Sequence, residues 1–284
     1  MPNDTSMNGK VCLVTGGSTG IGLVAAVELA KRGAAVTIVA RNPERAAAAL
    51  ARIKAESGAD AELILADLSS MKEVRRAAAE FRAKHDRLDV LLNNAGVILS
   101  KRELTADGYE STFAINHLAY FLLTELLLGL LKKSAPSRIV EVSSGAHMRG
   151  HMNFDDLMGA RGYSEMGSYC QSKLANVLHT VELAKRMEGT GVTVNALHPG
   201  VVATRWGAGT TGPLGVMLKL MRPFILTPER GAETSIYLAT SPEVAGVSGD
   251  YFYKCKPKAT SREARDPAAA KRLWEVSEKL VQAA

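Results

Sequence analysis

A short apolar run followed at once by a glycine-rich turn is the feature that most restricts how this chain can fold. Residues 11–15 form an apolar run of the kind found in parallel strands that are buried on both faces. Gly16, Gly20 and Gly22 follow, and helix-forming residues continue to about residue 32. A glycine turn at a helix N-terminus lets backbone amides approach a phosphate, whose charge the helix dipole favours. This stretch therefore predicts a strand, a phosphate-binding turn and a helix.

The same alternation of strand and helix patterns continues along the chain. Helical patterns separate the apolar runs near residues 35–40, 61–65, 90–92, 138–142, 192–197 and 251–253. The alternation predicts a single doubly wound Rossmann-type α/β domain over residues 1–284, with about seven parallel strands and helices on both faces. A C-terminal helix is predicted at 264–282, with Asp266 as its cap and Pro267 in its first turn.

Composition argues against several classes of function. Apolar residues make up 46% of the chain and charged residues 23%, as in soluble globular proteins. The net charge of +6 is spread out, with no run of five or more basic residues, so a nucleic-acid surface is not expected. Cys12, Cys170 and Cys255 are too scattered for a disulfide framework, which favours a cytoplasmic location. No transmembrane segment is predicted, since the longest apolar stretch, 118–131, is too short to span a bilayer.

Two histidines have a spacing that a metal site could use. His147 and His151 are four residues apart, but no third ligand follows at a suggestive distance. They are therefore interpreted as loop histidines, and no metal site is predicted.

Tyr169 and Lys173 carry the strongest chemical signal. They are four residues apart within a predicted helix at about 168–188, so their side chains lie on one face. A phenol has a pKa near 10 and is a poor base at neutral pH. An ammonium one turn away, together with an oxidised nicotinamide, would lower that pKa toward the working range. Such a tyrosine could exchange a proton with a carbonyl or an alcohol, although an exposed polar pair has the same spacing.

Ser144 and Asn116 are candidate partners of this pair. Ser144 follows the strand at 138–142, and open α/β sheets bind ligands beyond the carboxyl ends of their strands. Asn116 lies within a long apolar helix predicted at 109–131, and a buried asparagine must be hydrogen-bonded. It either holds a water that links Lys173 to solvent or pairs with the backbone.

The residue after the second strand bears on the choice of dinucleotide. An acidic residue near this point binds a ribose 2′-hydroxyl, whereas an arginine suits a 2′-phosphate. Arg41 stands there, and no Asp or Glu lies between residues 31 and 41. The sequence therefore favours NADP(H) over NAD(H), with an ordinary surface arginine as the alternative.

Taken together in chain order, these motifs resemble those of the single-domain short-chain dehydrogenase/reductases, over about residues 10–253. The motifs are Thr15 with the glycine turn at 16–22, residues 93–96, Asn116, Ser144, Tyr169 with Lys173, and Pro199 with Gly200.

The resemblance implies a role for each of these positions. It implies that Tyr169 is the acid/base and that Lys173 binds the nicotinamide ribose. Ser144 would hydrogen-bond the substrate oxygen, and Asn116 would complete a proton relay. The implied dinucleotide site consists of Gly16, Ser18, Thr19, Gly20, Ile21 and Gly22 at the pyrophosphate, Arg41 at the adenosine phosphate, Asp67 and Leu68 at the adenine, Asn94, Ala95 and Gly96 at the adenosine ribose, and Tyr169, Lys173, Pro199, Gly200, Val202 and Thr204 at the nicotinamide side.

Four further segments look like the retinol dehydrogenase subgroup. They are residues 169–178, 188–194, 197–202 and 272–277, and the 24 residues between Ser144 and Tyr169 (145–168) also fit that subgroup. The likeness implies an NADP(H)-linked oxidoreductase for lipophilic aldehydes, ketones or alcohols. The wider family implies a homodimer or homotetramer.

Two questions stay open at this level. The apolar stretch 212–226, within a segment at 205–227, is a substrate lid, part of the core, or a face in peripheral contact with a membrane. The alternative functions are a reductase of the same family acting on a small polar or polyketide-type ketone, and a non-catalytic dinucleotide sensor.

Overall fold

One mostly parallel sheet organises the molecule. The computed structural model describes residues 6–202 and 226–284, and its strands run in the order β3-β2-β1-β4-β5-β6-β7-β8. Strands β1 to β7 are parallel, and β8 pairs antiparallel with β7. Their bounds are β1 Val11–Thr15, β2 Ala35–Ala40, β3 Glu62–Leu65, β4 Val90–Asn93, β5 Ser137–Val142, β6 Val192–His198, β7 Tyr251–Tyr253 and β8 Lys256–Pro257. The doubly wound Rossmann-type fold is confirmed, and the two-residue β8 is an addition to the seven predicted strands.

Helices cover both faces of this sheet. Within the described residues they are α1 Gly20–Lys31, α2 Pro43–Ser57, α3 Met71–Lys84, α4 Ser111–Phe113, α5 Ala119–Lys133, α6 Glu165–Arg186, α7 Pro228–Thr240 and α8 Pro267–Ala283. One apolar core lies between the sheet and α1, α2 and α7, and a larger one lies between the sheet and α3, α5, α6 and α8. Because both faces are covered, β1 is buried along its whole length, as its apolar run predicted.

Two helices differ from their predicted bounds, and both differences affect the site. The helix predicted at 109–131 begins at Ser111 and contains a π-helical turn, Ala114–Leu118, around Asn116. The helix around Tyr169 begins earlier than predicted, at Glu165, because the Ser164 side chain caps it by accepting from the Gly167 amide. By contrast, α8 begins at Pro267 with Asp266 as its cap, as predicted.

The long apolar helix is longer than its sequence pattern suggested. The apolar stretch at 118–131 appeared too short to span a bilayer, yet the continuous helical run Ser111–Lys133 has the length and composition to do so. Of its most apolar window, 67% is buried inside the fold.

Candidate active site

The turn after β1 has the geometry of a phosphate cradle. Gly16 and Gly20 have positive φ values of 65° and 56°, which side chains other than glycine rarely adopt. A Cβ on Gly22 would lie 2.4 Å from Asn94 Nδ2 and 2.5 Å from the Gly16 oxygen. Thr19, the N-cap of α1, makes no side-chain capping bond, so the first amides of α1 are left for an anion. The residues present therefore fit a dinucleotide pyrophosphate.

Thr15 and Asn94 hold this turn in place. Thr15 Oγ1 accepts from the backbone amides of Asn94 at 2.8 Å and Ala95 at 3.1 Å. The Asn94 side-chain amide donates back to the Thr15 carbonyl at 2.8 Å. These bonds join the carboxyl ends of β1 and β4 across the sheet. The Asn94 amide thus has a structural task, while its predicted contact with the adenosine ribose stays a prediction.

The predicted adenosine end of the site comes together at the edges of β2 and β3. Arg41 is 70% exposed, and its Nη1 atom lies 3.7 Å from Asp67 Oδ2. Leu68 beside it is buried at 7% exposure. An exposed guanidinium next to the glycine turn is free to turn toward a phosphate, because an exposed ion pair at this distance is weak.

Tyr169, Ser144 and Lys173 meet at the carboxyl end of β5. Tyr169 and Lys173 project from one face of α6 and are 8% and 3% exposed. Lys173 Nζ donates to the Val142 carbonyl at 2.9 Å and lies 5.8 Å from the Tyr169 ring centroid. Ser144 Oγ accepts from the Ala146 amide at 3.1 Å, which leaves its own hydrogen to donate elsewhere. The exposed-pair alternative for Tyr169 and Lys173 is therefore wrong.

Burial shifts the pKa values of both Tyr169 and Lys173. Burial raises the pKa of Tyr169 to about 12, and a hydrogen bond with Ser144 opposes that rise. Burial also lowers the pKa of Lys173 to about 7, against the attraction of Glu141. In the polypeptide alone, the loss of solvent therefore sets the direction of the Tyr169 pKa shift, and the lowering by the ammonium together with an oxidised nicotinamide stays a prediction.

Asn116 is held by protein groups rather than left open. Its Oδ1 atom accepts from the Val97 amide at 2.8 Å, and its Nδ2 atom donates to the Val97 carbonyl at 2.9 Å and to Ser172 Oγ at 3.0 Å. A Cβ on Gly96 would lie 3.4 Å from both Asn116 Oδ1 and Lys173 Nζ. Of the two alternatives, the side chain therefore pairs with the backbone, and its part in a proton relay stays a prediction.

The predicted nicotinamide side lies after β6 and is only partly described. Gly200 has a φ of 90°, and its amide donates to His198 Nδ1 at 3.2 Å. Val202 forms an isolated parallel bridge with Leu226. Thr204 and nearly all of the segment at 205–227 lie outside the described residues.

Sequence reasoning missed two buried residues behind the site. His147 is 1% exposed, and its Nδ1 atom donates to the Ser144 carbonyl at 2.7 Å. Its ring packs edge-on against that of Tyr251, with 4.6 Å between the ring centroids. Glu141 lies in β5 with no exposed surface. The available signal for Glu141 was a carboxylate between the two valines at the end of a strand, Val140 and Val142. His147 gave no such signal: it lies in the connection between β5 and α6, as the loop interpretation has it, but its burial next to Ser144 was not predicted.

His151 behaves as an ordinary surface histidine. Its Nδ1 atom lies 3.0 Å from Glu263 Oε2. Within residues 6–202 and 226–284, no group of three or more His, Cys, Asp or Glu side chains is placed to hold a metal ion.

The fold and this arrangement define a class of protein, a Rossmann-type dinucleotide-binding domain with a serine, a tyrosine and a lysine at the carboxyl ends of its strands. A family model described as short chain dehydrogenase matches residues 10–211. The chain belongs to the short-chain dehydrogenase family, whose members are oxidoreductases that use NAD(P)(H).

Named relatives place it within that family. The chain is 46% identical to retinol dehydrogenase 14 of Mus musculus, with 97% of this chain and 86% of the relative covered. It is 45% identical to retinol dehydrogenase 13 of Homo sapiens, with 99% and 87% covered. The retinol dehydrogenase-like assignment is confirmed.

Solved structures agree with the fold. The structure of an uncharacterized protein from Mycobacterium Paratuberculosis is similar, with 32% sequence identity and a TM-score of 0.79. The match covers 97% of this chain and 94% of that protein. The Pseudomonas aeruginosa RhlG/NADP active-site complex is 30% identical with a TM-score of 0.72, covering 89% and 97%.

Proposed function

We propose that this protein interconverts lipophilic aldehydes or ketones and their alcohols with NADP(H). The observation that carries the proposal is that half-buried Ser144 meets buried Tyr169 and Lys173 at the carboxyl end of β5. The substrate class is supported by relatives named retinol dehydrogenase. The choice of NADP(H) is supported by Arg41 and by a similar structure whose complex contains NADP.

Each side chain then has a distinct task. The Ser144 hydroxyl has a hydrogen to donate to a carbonyl oxygen, since a backbone amide already occupies one acceptor position on Oγ. Tyr169, whose pKa is raised to about 12, holds its proton at neutral pH and can give it to that oxygen. The bound nicotinamide supplies or accepts the hydride. Burial of Tyr169 and Lys173 excludes water, which strengthens their interaction with developing charge.

A substrate panel tests this function directly. The purified chain is assayed with NADPH and NADH on retinal, a ring ketone, a small polar ketone and acetaldehyde. We expect kcat/KM to favour the large apolar compounds by at least about tenfold, because each buried methylene adds roughly 1–3 kcal/mol of discrimination. Equal values for retinal and acetaldehyde would count against the lipophilic class. A preference for the small polar ketone would favour the alternative reductase.

The coenzyme preference is tested by Arg41→Ala. A hydrogen bond to a charged group contributes about 1.5–3 kcal/mol, so the Kd for NADPH should rise roughly tenfold or more while that for NADH stays within about twofold. Arg52→Ala is the matched control, because Arg52 lies further along α2 and pairs with Glu56 at 2.6 Å. Equal losses for both coenzymes in Arg41→Ala would show that no 2′-phosphate contact exists.

Assembly and location belong to the same proposal. We place the chain in the cytoplasm as a homodimer or homotetramer. The apolar half-buried Leu126 and Leu130, one turn apart on α5, offer a surface for a second copy. Peripheral contact with a membrane through residues 212–226 is also part of the proposal, and of these residues only Leu226 belongs to the described part of the chain.

A further inference from the structure

A carboxylate is buried in the core beside the candidate catalytic lysine. The Glu141 side chain is 0% exposed, and that of His179, whose Nδ1 atom lies 2.8 Å from Glu141 Oε1, is 1% exposed. Thr180 Oγ1 lies 3.4 Å from Glu141 Oε2 but has a shorter bond, 2.9 Å, to the Asn176 carbonyl. A carboxylate with so few donors is costly to bury, and such groups concentrate at functional sites.

Hydrogen bonding indicates which member of this pair carries charge. His179 Nε2 is buried and has no hydrogen-bond partner among the described residues. An imidazolium would leave a charged N–H donor unpaired there, whereas a neutral ring with its hydrogen on Nδ1 leaves only an unpaired acceptor, which is less costly. The arrangement therefore fits a neutral His179 that donates to an ionised Glu141.

The other titratable groups packed around this pair do not cancel its charge. Burial lowers the pKa of His117, in the π turn, and raises that of Tyr120, on α5, so both favour their neutral forms. Glu125, also on α5, faces His179, and burial raises its pKa. Among the described residues, Lys173, on α6, is the cation on which Glu141 acts, whereas Arg186, at the end of α6, acts on Glu125.

The lysine lies where that charge can act on it. Lys173 Nζ donates to the carbonyl of Val142, the residue that follows Glu141 in β5. No carboxylate oxygen lies within 4.0 Å of Nζ in the part of the chain that the structure describes, so Lys173 has no direct ion pair. Burial favours a neutral amine, and Glu141 is the group that acts against this by raising the pKa of Lys173.

We propose that Glu141 is a positioning residue whose buried negative charge keeps Lys173 protonated near neutral pH. His179 orients the carboxylate through its Nδ1 hydrogen. The use of the ammonium in catalysis rests on the proposed function, whereas the coupling between the two charges does not.

Nuclear magnetic resonance of the full chain with ¹³C-labelled lysine tests the coupling without any turnover. The Lys173 signal is assigned by its loss in Lys173→Met. In wild type it should titrate with a midpoint of about 7. Glu141→Gln keeps the shape and an acceptor for His179 but removes the charge, so its midpoint should fall by about one pH unit.

Matched variants separate charge from shape. Glu141→Asp keeps the charge and should keep the wild-type midpoint. Glu125→Gln removes a carboxylate that faces His179 and should also leave the midpoint unchanged. Where glutamine at 141 prevents folding, Glu141→Met removes the same charge without an amide to satisfy, and the same fall is expected. An unshifted midpoint in the folded Gln or Met variant overturns the proposal.

The pH profile of carbonyl reduction supplies a second readout. A lysine with a lowered pKa loses its proton as pH rises through that lower value, so activity should fall on the basic side. In Glu141→Gln the activity should begin to fall at a pH about one unit lower than in wild type, while the activity at acidic pH stays unchanged. Uniform loss at every pH, with no such shift, would indicate structural damage and contradict the positioning role. A shifted midpoint without any turnover would refute the proposed function but leave the coupling intact.

Discussion

Tyr169→Phe is expected to lower kcat for carbonyl reduction by about 10²–10⁴-fold, the usual contribution of one positioned acid or base. Phenylalanine retains the buried ring, which is 8% exposed in the wild type, and its contact with Lys173 at 5.8 Å. Only the hydroxyl, and with it the proton that the substrate oxygen needs, is lost. The Kd for NADPH should therefore change by no more than about threefold.

Tyr163→Phe is the matched control for this variant. Tyr163 lies just before α6 and donates through its hydroxyl to the Leu99 carbonyl at 2.6 Å, so its loss removes a structural bond. Its kcat should stay within about threefold of wild type. Turnover of Tyr169→Phe at the control level would contradict the assignment of the acid. If wild type and variant both bind NADPH and neither reduces any compound in the panel, the sensor alternative is favoured.

Gly22→Ala should have the second largest effect, a rise of at least about 100-fold in the Kd for NADPH, or roughly 2.7 kcal/mol. Its Cβ would lie 2.4 Å from Asn94 Nδ2 and 2.5 Å from the Gly16 oxygen. To avoid this clash, either Asn94 Nδ2 or the Gly16 oxygen must move. The first movement breaks the hydrogen bond from Asn94 to Thr15, and the second reshapes the turn. Alanine favours a helix interior over glycine by about 1 kcal/mol, so a loss cannot come from helix propensity.

Gly129→Ala is the control, because a Cβ on Gly129 in α5 meets nothing within 4 Å. It should leave NADPH binding unchanged and raise the free energy of unfolding by about 0.5–1 kcal/mol. Thermal unfolding with and without NADPH measures both variants. A Gly22→Ala protein that NADPH stabilises as much as it does wild type would show that the turn does not hold the pyrophosphate.

Most of the fold could be predicted because it depends on local patterns. Buried parallel strands are short apolar runs, and α8 carries its cap and proline in sequence. β8 has no such pattern, since it consists of two residues that follow a turn in which Lys254 and Cys255 adopt φ values of 50° and 58°. The Asn116 side chain in the π turn is held by Val97 and Ser172, which are distant in sequence, so no local pattern indicates these contacts.

The candidate site could be predicted in its membership but not in its electrostatics. Residues at the carboxyl ends of parallel strands meet at one edge, so Ser144 and the glycine turn could be placed together. The sequence spacing also put Tyr169 and Lys173 on one helix face. It could not reveal how completely both are buried, and burial sets the direction in which each pKa moves. The contribution of Glu141 is likewise a product of tertiary packing.

The paired bonds between Thr15 and Asn94 have a consequence for ligand recognition. They join two strands that are distant in the chain and adjacent in the sheet, and they do so within the protein itself. The backbone of the turn is thereby ordered during folding, before any dinucleotide arrives. Association then loses little chain entropy at this point, so the affinity reflects complementarity rather than the cost of shaping a flexible loop.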